Sequence, residues 1–202
     1  MGKNIVVIAS GLTEKEAIRP LTREFCSTEG AAIEVRIPRG GNALMPSVIE
    51  KLARAAWWEM KLKNCPPDKF VVLVDADGRS ESEREAPLKA ACESLKDLPV
   101  TFLVTSAQWH LEAWFFGDPE ALRSFLHRDL GAIDPTRPDE ITNPKLHLKH
   151  LLGAPYTARI AGEIAAFVKP ISIATRSPSF HKFLNCLKNG GDSAMTAGHE
   201  AR

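Results

Sequence analysis

The run Phe70-Val71-Val72-Leu73-Val74, broken at once by Asp75-Ala76-Asp77-Gly78, limits the fold more than any other stretch of this chain. Unbroken apolar residues without polar alternation mark a strand buried on both faces. Such strands sit inside parallel sheets, whose crossover connections place helices on either side. Ile5-Val6-Val7-Ile8-Ala9 repeats the signature near the start, and residues 32–37 and 100–104 read as two further strands. Between them lie helical patterns. One covers about 13–26, with Ala17, Ile18, Leu21 and Phe25 inward and Thr13 and Glu16 spaced as a capping box. Others run from about 46 to 63, carrying Val48, Leu52 and Ala55, and from 82 to 96. Residues 1–107 therefore read as an α/β domain, a mainly parallel sheet with helices on both faces.

Beyond residue 107 the pattern becomes helical, with segments expected at 108–116, 119–127, 144–152, 158–167 and 179–188. Asn143-Pro144 is a good helix start, with Asn as cap and Pro in the first turn. These form a helical C-terminal half, 108–188, packed on the sheet. The Gly- and Ser-bearing tail 189–202 has little to bury and is expected to be disordered.

Composition narrows the function classes. Hydrophobic residues at 44% and charged ones at 25% are ordinary for a globular protein. The formal charge of +1, from 26 basic and 25 acidic residues, gives no whole-molecule attraction to nucleic acid or membrane. Nucleic acid would have to meet a local basic patch, such as Lys145, His147, Lys149 and His150, or Arg176, His181 and Lys182. The opening apolar run is too short for a secretion signal and is soon followed by Glu14-Lys15-Glu16. No stretch approaches the ~20 apolar residues of a membrane span. Cys26, Cys65, Cys92 and Cys186 form no Cys-x-x-Cys pair, so reduced thiols in a cytoplasmic protein are expected.

Asp75 and Asp77 are the leading candidates for chemistry. Residues two apart along a strand point the same way, so both carboxylates are expected on one side of the strand end, close together, and strand ends of open parallel sheets form the ligand crevice. Two close carboxylates repel unless a cation or a shared proton intervenes, and Mg²⁺ prefers such oxygen ligands. An Asp-rich turn that solvates the strand end accounts for the same residues. Glu14, at the exit of the first strand, is placed either to extend the acidic group or to favour its helix N-terminus. Arg39-Gly40-Gly41, before Asn42, follows a strand and precedes a helix; it reads as an anion nest or a plain connection. In the aromatic stretch 109–118, Trp114 and Phe115 read as core, while His110 and Glu112 need partners if buried. No Gly-x-Ser-x-Gly elbow and no His-Glu-x-x-His helix occurs.

The order Ile-Val-Val-Ile-Ala-Ser10-Gly11-Leu12-Thr13-Glu14, then Arg39-Gly40-Gly41, then Val-Leu-Val-Asp75-Ala-Asp77-Gly78 resembles TOPRIM-type domains. It looks most like the small TOPRIM-like proteins grouped as DUF4276. Leu111-Glu112-Ala113-Trp114, Asn143-Pro144-Lys145 and Ser177-Pro178-Ser179-Phe180 resemble that group's helical half. The resemblance implies a TOPRIM/Rossmann-like sheet and Mg²⁺- or Mn²⁺-dependent phosphodiester chemistry, with Asp75 and Asp77 holding the metal. It also implies a role in bacterial defence beside an ATPase partner. In the TOPRIM pattern the first strand ends Glu-Gly; here Ser10 stands at the acid's position, leaving Glu14 or Glu112 to supply the further ligand or base. The alternatives are a regulatory subunit that has lost that acid, and a nucleotide-binding domain using the glycine nest.

Overall fold

The computed structural model describes residues 3–41, 44–131 and 133–188. Asn42 and the tail from Asn189 lie outside the described residues. Four strands, β1 (Lys3–Ile8), β2 (Ala31–Arg36), β3 (Lys69–Asp75) and β4 (Thr101–Ala107), form one parallel sheet in the order β2-β1-β3-β4. β1 and β3 are central, as their apolar runs require. Along β1, Ile5 and Val7 enter one core and Val6 and Ile8 the other; along β3, Val71 and Leu73 oppose Phe70, Val72 and Val74. Each strand thus contributes alternate residues to two buried faces.

One face is covered by α3 (Pro46–Leu62), through Ile49, Ala53, Ala56, Trp57 and Met60, and by α4 (Glu81–Glu93), through Leu88 and Cys92. The other face carries α1 (Leu12–Leu21) and α2 (Arg23–Glu29) together with the whole C-terminal half. That half comprises α5 (Glu112–Phe115), α6 (Pro119–Leu126), α7 (Pro144–Leu152), α8 (Ala158–Phe167), α9 (Pro170–Arg176) and α10 (Pro178–Lys188). α8 crosses α1 closely: a Cβ on Gly162 would lie 3.3 Å from Glu16 Cβ. No helix of the described residues is long and apolar enough to cross a membrane.

The helix expected over 13–26 is two helices. At their junction Thr22 leaves helical geometry (φ −104°, ψ 4°), and its hydroxyl donates to Ile18 O at 2.7 Å. Such back-bonding by Thr bends a helix. Gly11 is the cap residue of α1, so the expected Thr13/Glu16 box does not form there; the box forms on α4, between Ser80 and Glu83. The segment 108–116 is one helical turn, because its first residues are tied to the end of β3 (below). α9, which the sequence pattern does not single out, is a seven-residue helix with only Ile173 fully buried.

Candidate functional site

Strand β3 ends at Asp75, on the same side of the sheet as Val71 and Leu73, and therefore toward α1 and the C-terminal half. Leu111 N–H donates to its Oδ1 at 3.1 Å. Chain continuation past Asp75 is not extended: Asp77 and Gly78 are left-handed, with φ of 53° and 74°. The alternation that would align the two carboxylates stops at the strand end.

The turn is clasped instead by the segment after β4. Ala76, Asp77 and Gly78 donate backbone hydrogen bonds to Ala107, Trp109 and Gln108 carbonyls at 2.8, 3.1 and 3.0 Å. The Trp109 indole covers Gly78 so closely that an added Cβ would lie 2.6 Å from the ring. Asp77 keeps its side chain 52% exposed, with His110 Nε2 at 3.1 Å from Oδ1.

The partners that bear most on Asp75 are Glu14 and Glu112. Glu14 lies in the first turn of α1 and is buried; its carboxylate accepts from its own backbone N–H and from that of Gly11, half of a capping box. Glu112 opens α5 and is 1% exposed. Loss of hydration, then the charges of Glu14, Glu112 and, least, Asp77 push the Asp75 carboxyl well above its usual range, against the pull of Leu111 N–H. Burial also raises Glu14, with Glu112 adding to the effect and the two backbone N–H groups and Lys145 opposing it. Tyr156 is pushed upward by burial and by the charge of Glu112 nearby.

The acidic group expected from sequence thus exists, with a different centre. The structure brings together Asp75, Glu14 and Glu112 from β3, α1 and α5, while Asp77 stands at the rim with His110. Arg39-Gly40-Gly41 forms a 3₁₀ turn after β2, with Gly40 left-handed (φ 73°). Because β1 separates β2 from β3, the strand spacing puts that turn on the order of 10 Å from the β3 end. Lys145, read from sequence as part of a basic face and of the Asn143-Pro144-Lys145 segment, also stands beside the acidic group, as does Tyr156, which gives no local signal. In the other basic group, Arg176 donates to Gly117 O at 2.8 Å and Lys182 lies 2.9 Å from Glu85, so both serve the fold.

The sequence model of DUF4276, a domain of unknown function, matches residues 11–188. The chain belongs to the DUF4276 family. Comparison with curated proteins and with solved structures gave no match. The matched span of this DUF4276 chain includes Glu14, Asp75 and Glu112, and also Lys145 and Tyr156 beside them.

The donors suit a hard divalent cation in kind: three carboxylates, all oxygen, with two of them destabilised by burial and mutual repulsion. Glu112 Oε1 is buried and makes no hydrogen bond among the described residues, and neither does Ser10 Oγ at the β1 exit. Buried polar atoms left so point to a missing partner. No three His, Cys, Asp or Glu among the described residues stand at the spacing of a closed ligand shell. The donor chemistry fits a cation; the present spacing is that of separate acids.

Proposed function

We propose that this DUF4276 protein is a TOPRIM-like, divalent-cation-dependent enzyme of phosphodiester or phosphoryl chemistry on nucleic acid, with Mg²⁺ or Mn²⁺ as cofactor. The observation that carries this reading is the meeting of Asp75, Glu14 and Glu112, from three elements, at the carboxyl end of the central strand with too little positive charge to balance them. Asp75, Glu14 and Glu112 would hold the cation, with Asp77 at the rim. A bound divalent ion supplies Lewis acidity toward a phosphoryl oxygen and toward water. Of Glu14 and Glu112, whichever does not ligate the ion directly would serve as the base. Arg39, Gly40 and Gly41 offer a phosphate contact on the same end of the sheet. A place in bacterial defence beside an ATPase partner belongs to the same proposal and rests on the TOPRIM resemblance.

A second reading is a regulatory subunit that keeps the fold without cutting. Ser10 favours it, since a serine cannot carry the charge that an acid at the β1 exit would.

Titration of Mg²⁺ and Mn²⁺ against thermal unfolding tests the cation. Saturation at a hundred times Kd stabilises by about 2.7 kcal/mol. We expect that stabilisation in wild type and its loss in Asp75→Asn and in Glu112→Gln, with Asp77→Asn less affected. No response of wild type up to millimolar metal would sink the reading. Nicking of plasmid and of tRNA in Mn²⁺ then separates the enzyme from the regulatory subunit.

A further inference from the structure

His147 and His150 take no part in the acidic group. Three residues apart on α7, the two imidazoles share a helix face. That face borders a pocket of about 520 Å³ between α7 and the chain that joins α6 to it. Both its size and its make-up, an apolar wall with a few polar groups, are those of a small-molecule site. Leu130 and Ile141, which are buried, and Ile133 and Leu151, which are half-buried, form the wall and pack with the main core. Around that wall the acids are engaged and the nitrogen donors are not. Asp134 Oδ1 accepts from the Thr136 N–H at 2.9 Å and from its hydroxyl at 2.7 Å. Glu140 Oε1 is met by Arg137 Nη1 at 3.2 Å, an exposed pair of the kind that is weak, so the guanidinium can turn to another anion at small cost. It engages Glu140 through that one nitrogen, whereas a guanidinium carries five N–H donors. Neither imidazole has a hydrogen bond or ion pair among the described residues. Nor do three His, Cys, Asp or Glu stand together there at metal-binding spacing, among the described residues. The imidazoles are thus left to meet an organic ligand.

We propose that this pocket binds a small amphipathic anion. The apolar body of the ligand lies on Leu130, Ile133, Ile141 and Leu151, and its charged head is met by Arg137, His147 and His150. A carboxylate and a phosphate monoester offer the same head chemistry. The pocket shares no lining residue with the acidic group and needs no cation there, so it is independent of the enzymatic reading above.

The test is calorimetric titration of the full chain in the absence of divalent metal. Octanoate and octyl phosphate are the anionic probes. Octanol and octyltrimethylammonium replace the head, and acetate removes the body. We expect at least one of the two anions to bind at a single site, with octanol several-fold weaker and acetate and the ammonium giving no heat of binding. The tighter of the two anions identifies the head. Arg137→Ala and the double variant His147→Ala/His150→Ala should each weaken that anion several-fold and leave octanol unchanged. Arg137 and His150 are exposed and His147 is half-buried, so the fold should survive, as circular dichroism would verify. Ile133→Asp, which sets a carboxylate on the apolar wall, should abolish binding of the anion. Binding of neither anion overturns the proposal. So does equal binding of anion and octanol, which would make the pocket a merely apolar surface. Anion affinity untouched by the Arg137 and His147/His150 variants would place the ligand elsewhere and overturn it too.

Discussion

Gly78 shows how a single residue sets the geometry of the acidic turn. It is left-handed, and the space its Cβ would need is filled by the Trp109 indole at 2.6 Å. Gly78→Ala should cost about 1–3 kcal/mol for the backbone alone, with more from the displaced ring. In a Trp109→Ala background the ring component should vanish and the backbone component remain. Equal costs in both backgrounds, measured by denaturant unfolding, would show that the indole does not press on the turn. Asp75 makes a second prediction. Its folded pKa is raised, so metal-free folded protein binds more protons than unfolded protein in the window above the ordinary carboxyl value of 3.8. Stability from this group is present below that value and lost as pH rises through the folded pKa. Asp75→Asn keeps an acceptor for Leu111 N–H and removes the charge. The variant should therefore gain on wild type as pH rises toward neutrality, by about 2–4 °C in Tm per kcal/mol relieved. A constant difference across pH would contradict the assignment. Asp75 was legible in the sequence because it ends an apolar run. The direction of Asp77 was not, since it depends on a left-handed turn imposed by Trp109 and Gln108.

At the scale of elements, the best-read features are those fixed by local chemistry. The starts of α3 and α7 follow from their prolines, that of α8 from its Thr157 cap, and β1, β3 and β4 from their apolar runs. Asn143 precedes α7 without its side chain capping it. α3 buries Ile49, Ala53 and Ala56 where the spacing pointed to Val48, Leu52 and Ala55, of which Ala55 is exposed. What the chain could not show locally is how its helix starts are satisfied by distant residues. Asp139, in the 3₁₀ turn Pro138–Glu140, accepts from the Ser177 hydroxyl (2.7 Å), the Ser179 hydroxyl (2.8 Å) and the Ser179 N–H (2.8 Å). Ser177 Oγ in turn accepts from Phe180 N–H, and the Trp114 indole N–H donates to Ser179 Oγ at 2.7 Å. This network caps α10 and ties it to α5, the helix that carries Glu112. The Ser177-Pro178-Ser179-Phe180 segment is thus a helix start with an acid brought from far along the chain. Asp139→Ala leaves several buried donors without an acceptor and should cost about 2–4 kcal/mol, more than Ser177→Ala at about 1 kcal/mol. If the two variants unfold at the same denaturant midpoint, Asp139 is not the centre of the network.

At the scale of the whole molecule, the two consecutive regions share their packing. The division at residue 107 follows the change from alternating strands and helices to helices alone, and the chain does change there. Yet one core runs through the division: Ile5, Val7, Val71 and Leu73 of the sheet pack in the same cluster as Trp114, Phe115, Ile164, Phe180 and Phe183. Lys69, at the start of β3, donates to the Cys186 and Leu187 carbonyls of α10, so the last helix is anchored to the central strand. Periodicity within a segment cannot reveal which segments share a face, so the packing of the helical half on the sheet was expected while the face it takes and the residues that join it were not. The candidate site crosses the same division, because Asp75 and Glu14 come from one side and Glu112, Lys145 and Tyr156 from the other. A fragment ending at Ala107 would keep only α1 and α2 on that face and would lose the burial partners Trp114, Phe115, Ile164, Phe180 and Phe183, side chains of a kind worth about 1.5–3 kcal/mol each when buried. Their sum is comparable to the entire 5–15 kcal/mol of a domain. The fragment should therefore remain unfolded by circular dichroism, and the full chain should melt in one transition seen alike by dichroism and tryptophan fluorescence. A cooperative transition in the fragment, or two separated transitions in the full chain, would mean that the sheet is stable without its helical half. The acidic group would then be assembled by docking two independent units rather than by folding one.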